Sequence, residues 1–188
     1  YYFEEADHGQ AIRKKYRTYV DQLMTPAKAK VSDKTVDNII AIETALAAKH
    51  WTRVDNRDND LTYNKLSDVA LQELLPDYQL NLFLDGLGIG GQSEVIVRQP
   101  TYVQALNQIF TDTSVKQWQE YLRFKVLSTY AAYLPEAYEQ LSFDFYQRTL
   151  SGQPEQQPRW KRAVNSINSN IGELLGQLYV AKHFPPEA

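Results

Sequence analysis

The sequence predicts an all-α fold: one bundle-like helical domain over residues 1–188, with at most one short β segment near 94–97. Three observations predict it. Apolar residues recur at helical spacing through most of the chain, and serine or aspartate caps and prolines punctuate those runs. Only Glu94-Val-Ile-Val97 reads as a continuous β-branched stretch. At 188 residues and 43% hydrophobic content, the chain is long enough to bury a real core.

Composition removes several function classes. A net charge of −3 argues against nucleic acid as a partner, which would require a basic stripe. No apolar run approaches the ~20 residues of a membrane span, and the first residues form no signal peptide. The absence of cysteine rules out disulfides, thiolate metal sites and a cysteine nucleophile. Tyr1 is not an initiator residue, so the chain reads as a processed or excised piece. Thirteen tyrosines suit helix–helix seams with wet hydroxyls, and they would equally suit a peptide- or sugar-binding groove.

The elements follow in order. Gln10–Met24 places Ile12, Tyr16, Tyr19, Val20 and Leu23 on one face and Arg13, Lys14, Lys15 and Arg17 around the other, and Pro26 ends it. That basic face is either simply solvated or meets an anionic partner. Ser32 or Asp33 caps a helix to about Lys49 with Val36, Ile39, Ile40, Leu46 and Ala47 inward. Glu43 at the edge of that face calls for a neighbouring cation, or else a catalytic role.

From Trp51 to Lys65 the helical period breaks, and Asp55, Asn56, Arg57, Asp58, Asn59 and Asp60 read as a turn-rich loop. Its aspartates read as solvated, since they lack the spaced oxygen ligands of a dedicated calcium loop. Ser67 caps a short helix, Asp68–Leu75, and Tyr78–Leu87 is another. Gly86, Gly88, Gly90 and Gly91 then form a helix stop and turn. They follow a helix and lack a Gly-Lys-Ser/Thr ending, which excludes a phosphate loop.

Pro100 suits the first position of the next helix, which runs to about Phe110. Ser114 caps a long helix to Tyr133 with Trp118, Tyr121, Leu122, Val126, Tyr130 and Tyr133 on one face. From Pro135 a further helix to about Leu150 turns Tyr138, Leu141, Phe143 and Phe145 inward, and Ser151–Gln157 is a loop. The last helix spans Pro158–Phe184. Its stripe of Trp160, Val164, Ile167, Ile171, Leu174 and Leu178 predicts a buried seam, and a second stripe of Asn165, Ser169, Gly172 and Gly176 lets another backbone approach.

No catalytic motif is visible. His8, His50 and His183 form no helical pair, His-Glu-x-x-His and Gly-x-Ser-x-Gly are absent, and His183 cannot share a helix face with Glu187 across Pro185-Pro186. The residues therefore predict neither a catalytic nor a metal site in this segment.

A set of short stretches nonetheless resembles, in the same order, the N-terminal non-catalytic region of the neprilysin and endothelin-converting-enzyme family of zinc metallopeptidases. They are Tyr1-Tyr2, Ile42-Glu43-x-x-Leu46-Ala47, Arg57-Asp58 with Tyr63-Asn64-Lys65-Leu66-Ser67, and Val95-Ile-Val97-x-x-Pro100-x-Tyr102. Tyr121-Leu122 follows, then Arg159-Trp160-Lys-Arg162-Ala-Val-Asn165-Ser-Ile-Asn168, and lastly Gly176-Gln-Leu178-Tyr179-Val180 with Phe184.

The resemblance implies a two-lobed enzyme in which a helical lobe caps a catalytic cavity and admits small peptides. It implies Zn2+ and His-Glu-x-x-His in a catalytic lobe beyond Ala188, and no cofactor in this segment. The partners it implies are that lobe of the same polypeptide and peptide substrates. Arg57, Tyr63 and Asn64 could then meet the peptide. Alternatively Arg57 buttresses its loop through Asp58 or Asp60, while Tyr63 and Asn64 set the following helix. Pro100, Tyr102, Arg159, Trp160, Arg162, Asn165, Asn168, Gly176 and Tyr179 would be structural. Ala163 stands where animal members have a cysteine, which points to a bacterial oligopeptidase, periplasmic or secreted, with a cytoplasmic location as the other case. A different class of function stays open, a free-standing helical module that binds peptide or glycan.

Overall fold

The computed structural model describes residues 1–25 and 32–184, and the expected helix stop at Pro26 lies outside them. It falls into two compact units, Tyr1–Phe145 and Tyr146–Ala188. The all-α expectation holds: helices carry the chain and the two strands are three residues each.

In the first unit, α1 spans Asp7–Met24 and starts three residues before the expected Gln10. Asp7 in its first turn suits the positive end of the helix dipole. The early start depends on Gly9, which lies against Glu4 so closely that a Cβ would stand 2.6 Å from the Glu4 carbonyl oxygen. Helix α2 spans Asp33–Ala47 and is capped by Ser32, whose hydroxyl accepts from the Thr35 amide. Its inward set differs slightly from the expectation, because Ile42 is buried with Val36 and Ile39 while Ile40 is half-buried.

Helix α1 packs on α2, and both meet the later helix α7, Val115–Tyr130. Between them lies an aromatic core. The Tyr16 and Tyr19 rings sit 5.0 and 5.2 Å from Phe145, and Phe124 meets both tyrosines edge-on at 6.2 and 6.1 Å. A polar seam runs beside it: Thr35 and Asn38 on α2 donate to the two Glu120 carboxylate oxygens at 3.1 and 3.2 Å.

Residues 51–65 are more ordered than a loop. A 3-10 turn covers Asp55–Arg57 and the one-turn helix α3 covers Asn59–Thr62. Strand β1, Lys65–Ser67, pairs antiparallel with β2, Glu94–Ile96, in the register Lys65 to Ile96, Leu66 to Val95 and Ser67 to Glu94. The single expected β segment thus has a partner, because an extended run satisfies its backbone groups only across a ladder. Helices α4, Asp68–Leu74, and α5, Leu80–Gly86, complete this end; Ser67 caps α4 as expected, and α5 is shorter than the expected Tyr78–Leu87. Gly88 and Gly91, with φ of 71° and 75°, make the turn into β2 that β-carbon-bearing residues resist. Leu71, Leu75, Leu80 and Val97 form the core there, joined by Leu66, Val95, Val103 and Leu106.

Helix α6 spans Pro100–Asp112 with Pro100 at its first turn. Ser114 and Gln117 form a complete capping box on α7. Ser114→Ala is expected to lower stability by about 1 kcal/mol, read from a urea midpoint. The long helix expected to run to Tyr133 ends at Tyr130 in α-form, and a 3-10 turn completes it over Ala131–Tyr133. Its inward face is also not the expected one. Phe124 and Ala131 are buried, whereas Leu122, Val126, Tyr130 and Tyr133 are 56–66% exposed. The segment carries apolar residues on more than one side, and the Phe124 side is the one that meets α1. Helix α8 is Glu136–Ser142, and the run expected to continue it adopts π-helical winding over Phe143–Leu150, with Phe143 and Phe145 buried as expected.

The second unit holds residues 146–150, the expected loop and helix α9, Arg159–His183. At 25 residues α9 would extend about 37 Å, but it bends at Ile171, whose φ of −134° and ψ of 33° leave the helical region beside Gly172. The expected buried seam is not formed among the described residues. Trp160, Val164, Ile167, Ile171, Leu174 and Leu178 are 47–70% exposed. The period is right, and none of these six side chains is buried among the described residues.

Candidate functional site

Arg57, Tyr63 and Asn64 emerge from one end of the first unit, where short polar side chains shape the turn. Thr52 and Asp55 exchange bonds: the Thr52 hydroxyl donates to Asp55 Oδ2 at 2.7 Å, and the Asp55 amide donates to Thr52 Oγ1 at 3.2 Å. Asn56 Nδ2 donates to the carbonyls of Trp51 and Thr52, both at 3.0 Å. Asp58 caps α3 by accepting from the amides of Asp60 and Leu61. The aspartates of this loop thus serve their own backbone.

Gln99, which sequence reasoning passed over, joins this turn to α6. Its Oε1 accepts from the Trp51 amide at 2.9 Å and lies 3.3 Å from His50 Nδ1, while its Nε2 donates to Asn56 Oδ1 at 3.0 Å. Arg98 donates to the Asn56 carbonyl at 3.1 Å, and Trp51 Nε1 donates to Thr101 Oγ1 at 2.7 Å. Tyr102 stacks on His50 at 4.1 Å, and burial raises its phenol pKa. The Val95–Tyr102 stretch therefore works as a staple for the turn. The sequence signal available was its polar residue placed just before Pro100 at a helix start.

Arg57 is exposed and makes no ion pair with Asp58 or Asp60, so the expected buttress is replaced by backbone caps. Tyr63 is 61% exposed. Asn64 is half-buried; its side chain donates to the Leu61 carbonyl at 2.7 Å and its own carbonyl receives the Val97 amide at 2.8 Å. The structure thus puts Arg57 next to a turn held by Gln99, and Asn64 just before β1, where its carbonyl meets the Val97 amide just after β2. No group of three or more His, Cys, Asp or Glu side chains that could hold a metal occurs among the described residues.

Glu43 is the one buried carboxylate among the described residues, 8% exposed on α2. Its Oε2 accepts from Tyr2 at 2.9 Å and from Tyr16 at 2.5 Å, and Lys125 Nζ stands 3.8 Å from Oε1. The expected cation is present, but two phenols are the nearer partners. Burial, and then the nearby Glu43 charge, raise the pKa of Tyr2 and push that of Tyr121 up to about 12 from 10.0. A raised folded-state pKa favours the neutral phenol in the fold. The stability it contributes is whole below pH 10 and is lost as pH climbs towards 12. Urea midpoints should therefore fall over that window, and Tyr121→Phe should reduce the fall.

On α9 the motif residues Arg159, Trp160, Asn165, Asn168 and Tyr179 are exposed, while Arg162 and Gly176 are half-buried. Arg159 opens the helix, Trp160 lies exposed under Lys161 at 5.6 Å, and Arg162 donates to the Gln157 carbonyl. Asn165 donates to Gln157 Oε1 at 3.2 Å, so Arg162 and Asn165 fasten the loop before the helix. Asn168 lies near Gly172, Gly176 has open space where a side chain would stand, and Tyr179 packs on His183 and Phe184.

A family model described as peptidase family M13 matches residues 1–188, the whole chain. The chain belongs to peptidase family M13. Among M13 relatives, Neprilysin-11 of Caenorhabditis elegans is 25% identical over 190 residues, covering 95% of this chain and 22% of that protein. Membrane metallo-endopeptidase-like 1 of Mus musculus is 24% identical over 205 residues, covering 100% of this chain and 26% of that protein. The chain thus spans about a quarter of the length of these curated M13 relatives. Among solved structures, zinc metalloprotease Zmp1 of Mycobacterium tuberculosis in complex with an inhibitor matches with a TM-score of 0.91 at 30% identity, over 98% of this chain and 28% of that one. PepO of Lactobacillus rhamnosis HN001 shares the fold, with a TM-score of 0.79 at 22% identity, over 99% of this chain and 30% of that one. The resemblance read from the sequence is the family found, and no described helix is long and apolar enough to cross a membrane.

Proposed function

We propose that residues 1–188 are the non-catalytic helical lobe of a neprilysin-like zinc metalloendopeptidase, a bacterial oligopeptidase that works outside the cytoplasm, in the periplasm or secreted. The lobe caps the catalytic cavity and restricts entry to small peptides. Arg57, Tyr63 and Asn64 meet the peptide, while Pro100, Tyr102 and the α9 motif residues keep the scaffold. The observation that carries this reading is α9: a 25-residue helix with an apolar stripe at helical period and no buried residue. Soluble proteins rarely leave so long an apolar surface without a partner. The match to only about a quarter of each M13 relative supplies a source for that partner, the remainder of the same polypeptide.

Zinc belongs, in this reading, to the catalytic lobe, where it would supply Lewis-acid chemistry for peptide hydrolysis. No step of the reaction is assigned to residues of this chain, which contribute shape and contact. The encoding frame tests the proposal. Continuation past Ala188 through His-Glu-x-x-His is the expected result. A frame that stops near Ala188, with saturable binding of a peptide or glycan, would replace it with a free-standing binding module.

A further inference from the structure

We propose that Gln99 is a positioning residue for peptide binding: it holds the turn that carries Arg57, beside Tyr63 and Asn64, in a preset position. The inference rests on the reading of those three as peptide contacts, and the geometry supplies the rest. Gln99 is half-buried at the N-terminal end of α6 and uses both ends of its amide. Its oxygen takes the Trp51 amide, where the turn begins, and its nitrogen reaches Asn56, the residue before Arg57. Asn56 in turn binds the Trp51 and Thr52 carbonyls, so the turn is closed on itself and tied to Gln99.

Two residues earlier, the Val97 amide holds the Asn64 carbonyl, and the Val97 side chain is buried in the core of this end. The short Val97–Gln99 stretch therefore bonds the turn that leads to Arg57, through Gln99, and the Asn64 backbone, through Val97. Arg57 makes no ion pair with its neighbouring aspartates, and the turn sets the point from which its side chain reaches. A surface fixed before binding loses less freedom when a flexible peptide arrives. Loss of the clamp should weaken binding without touching the chemical step.

The test uses the full-length protein with a short fluorogenic peptide. Gln99→Leu keeps the bulk and removes all three contacts of the amide. It should raise KM about five-fold or more with kcat within about two-fold. Asn56→Ala, which breaks the clamp from the other side, should do the same. Amide exchange over residues 51–57 should quicken in both. Arg57→Ala separates the two readings. If it raises KM while Gln99→Leu and Asn56→Ala leave KM unchanged, the clamp is overturned and the contact surface stands. If Arg57→Ala leaves KM unchanged, the contact reading fails and the clamp falls with it. A double variant Arg57→Ala/Gln99→Leu no worse than Arg57→Ala alone is the expected coupling, and full additivity would overturn it.

Discussion

Ile167→Asp and Leu174→Asp on α9 are expected to destabilise the full-length protein by about 3 kcal/mol each, while changing the isolated chain of residues 1–188 by no more than about 0.5 kcal/mol. The contrast follows from exposure. In this chain the two side chains are 47% and 58% exposed, so an added carboxylate stays in water. Once a partner covers the stripe, the same carboxylate loses its hydration and the apolar burial together. The wild-type isolated chain should also bind a hydrophobic dye more strongly than the full-length protein, because its stripe is open. Thermal and urea unfolding of both forms read the difference. Equal, small effects in the two forms would mean that nothing covers α9.

Glu43→Ala carries the second large effect, a loss of about 3 kcal/mol and a melting temperature lower by about 10 °C. The carboxylate gathers the N-terminal segment through Tyr2, α1 through Tyr16 and α7 through Lys125 onto α2. Removing it leaves the two phenol hydroxyls without their acceptor beside a cavity, while the exposed Lys125 ammonium stays in water. Glu43→Gln retains one acceptor oxygen and should cost about half as much. Losses under about 1 kcal/mol for Glu43→Ala would show that the phenols reach water instead and that the site adds little to the fold.

How far the sequence reached depended on what each residue's role required. Caps and stops were legible because they are local: Ser32, Ser67, Ser114 and Pro100 act on backbone within one turn and sit where expected. The strand pair was half-legible. Glu94–Ile96 shows itself by β-branched residues, but Lys65–Ser67 is a strand only because a segment some thirty residues away pairs with it.

Burial was the least legible property. On α7 the periodic set of Leu122, Val126 and Tyr130 is as good a stripe as the one containing Phe124, and packing by α1 and α2 decides between them. On α9 the stripe is correct as chemistry, yet it stays exposed among the described residues. At the candidate site, Arg57, Tyr63 and Asn64 were singled out through a family motif and Asn56 only as a turn residue, whereas Gln99 was not, since a glutamine carries no signal until its partners are seen. Glu43 was expected to need a cation, and Lys125 is there at 3.8 Å, but the two closer phenols come from Tyr2 and Tyr16, which sequence distance hides.

The most direct test measures zinc content and peptide hydrolysis side by side for residues 1–188 and for the full-length protein. The expected result is zinc bound in about one equivalent and peptide cleaved by the full-length protein, with neither property in residues 1–188. Stoichiometric zinc and peptidase activity in residues 1–188 alone would contradict the assignment of this chain as the non-catalytic lobe.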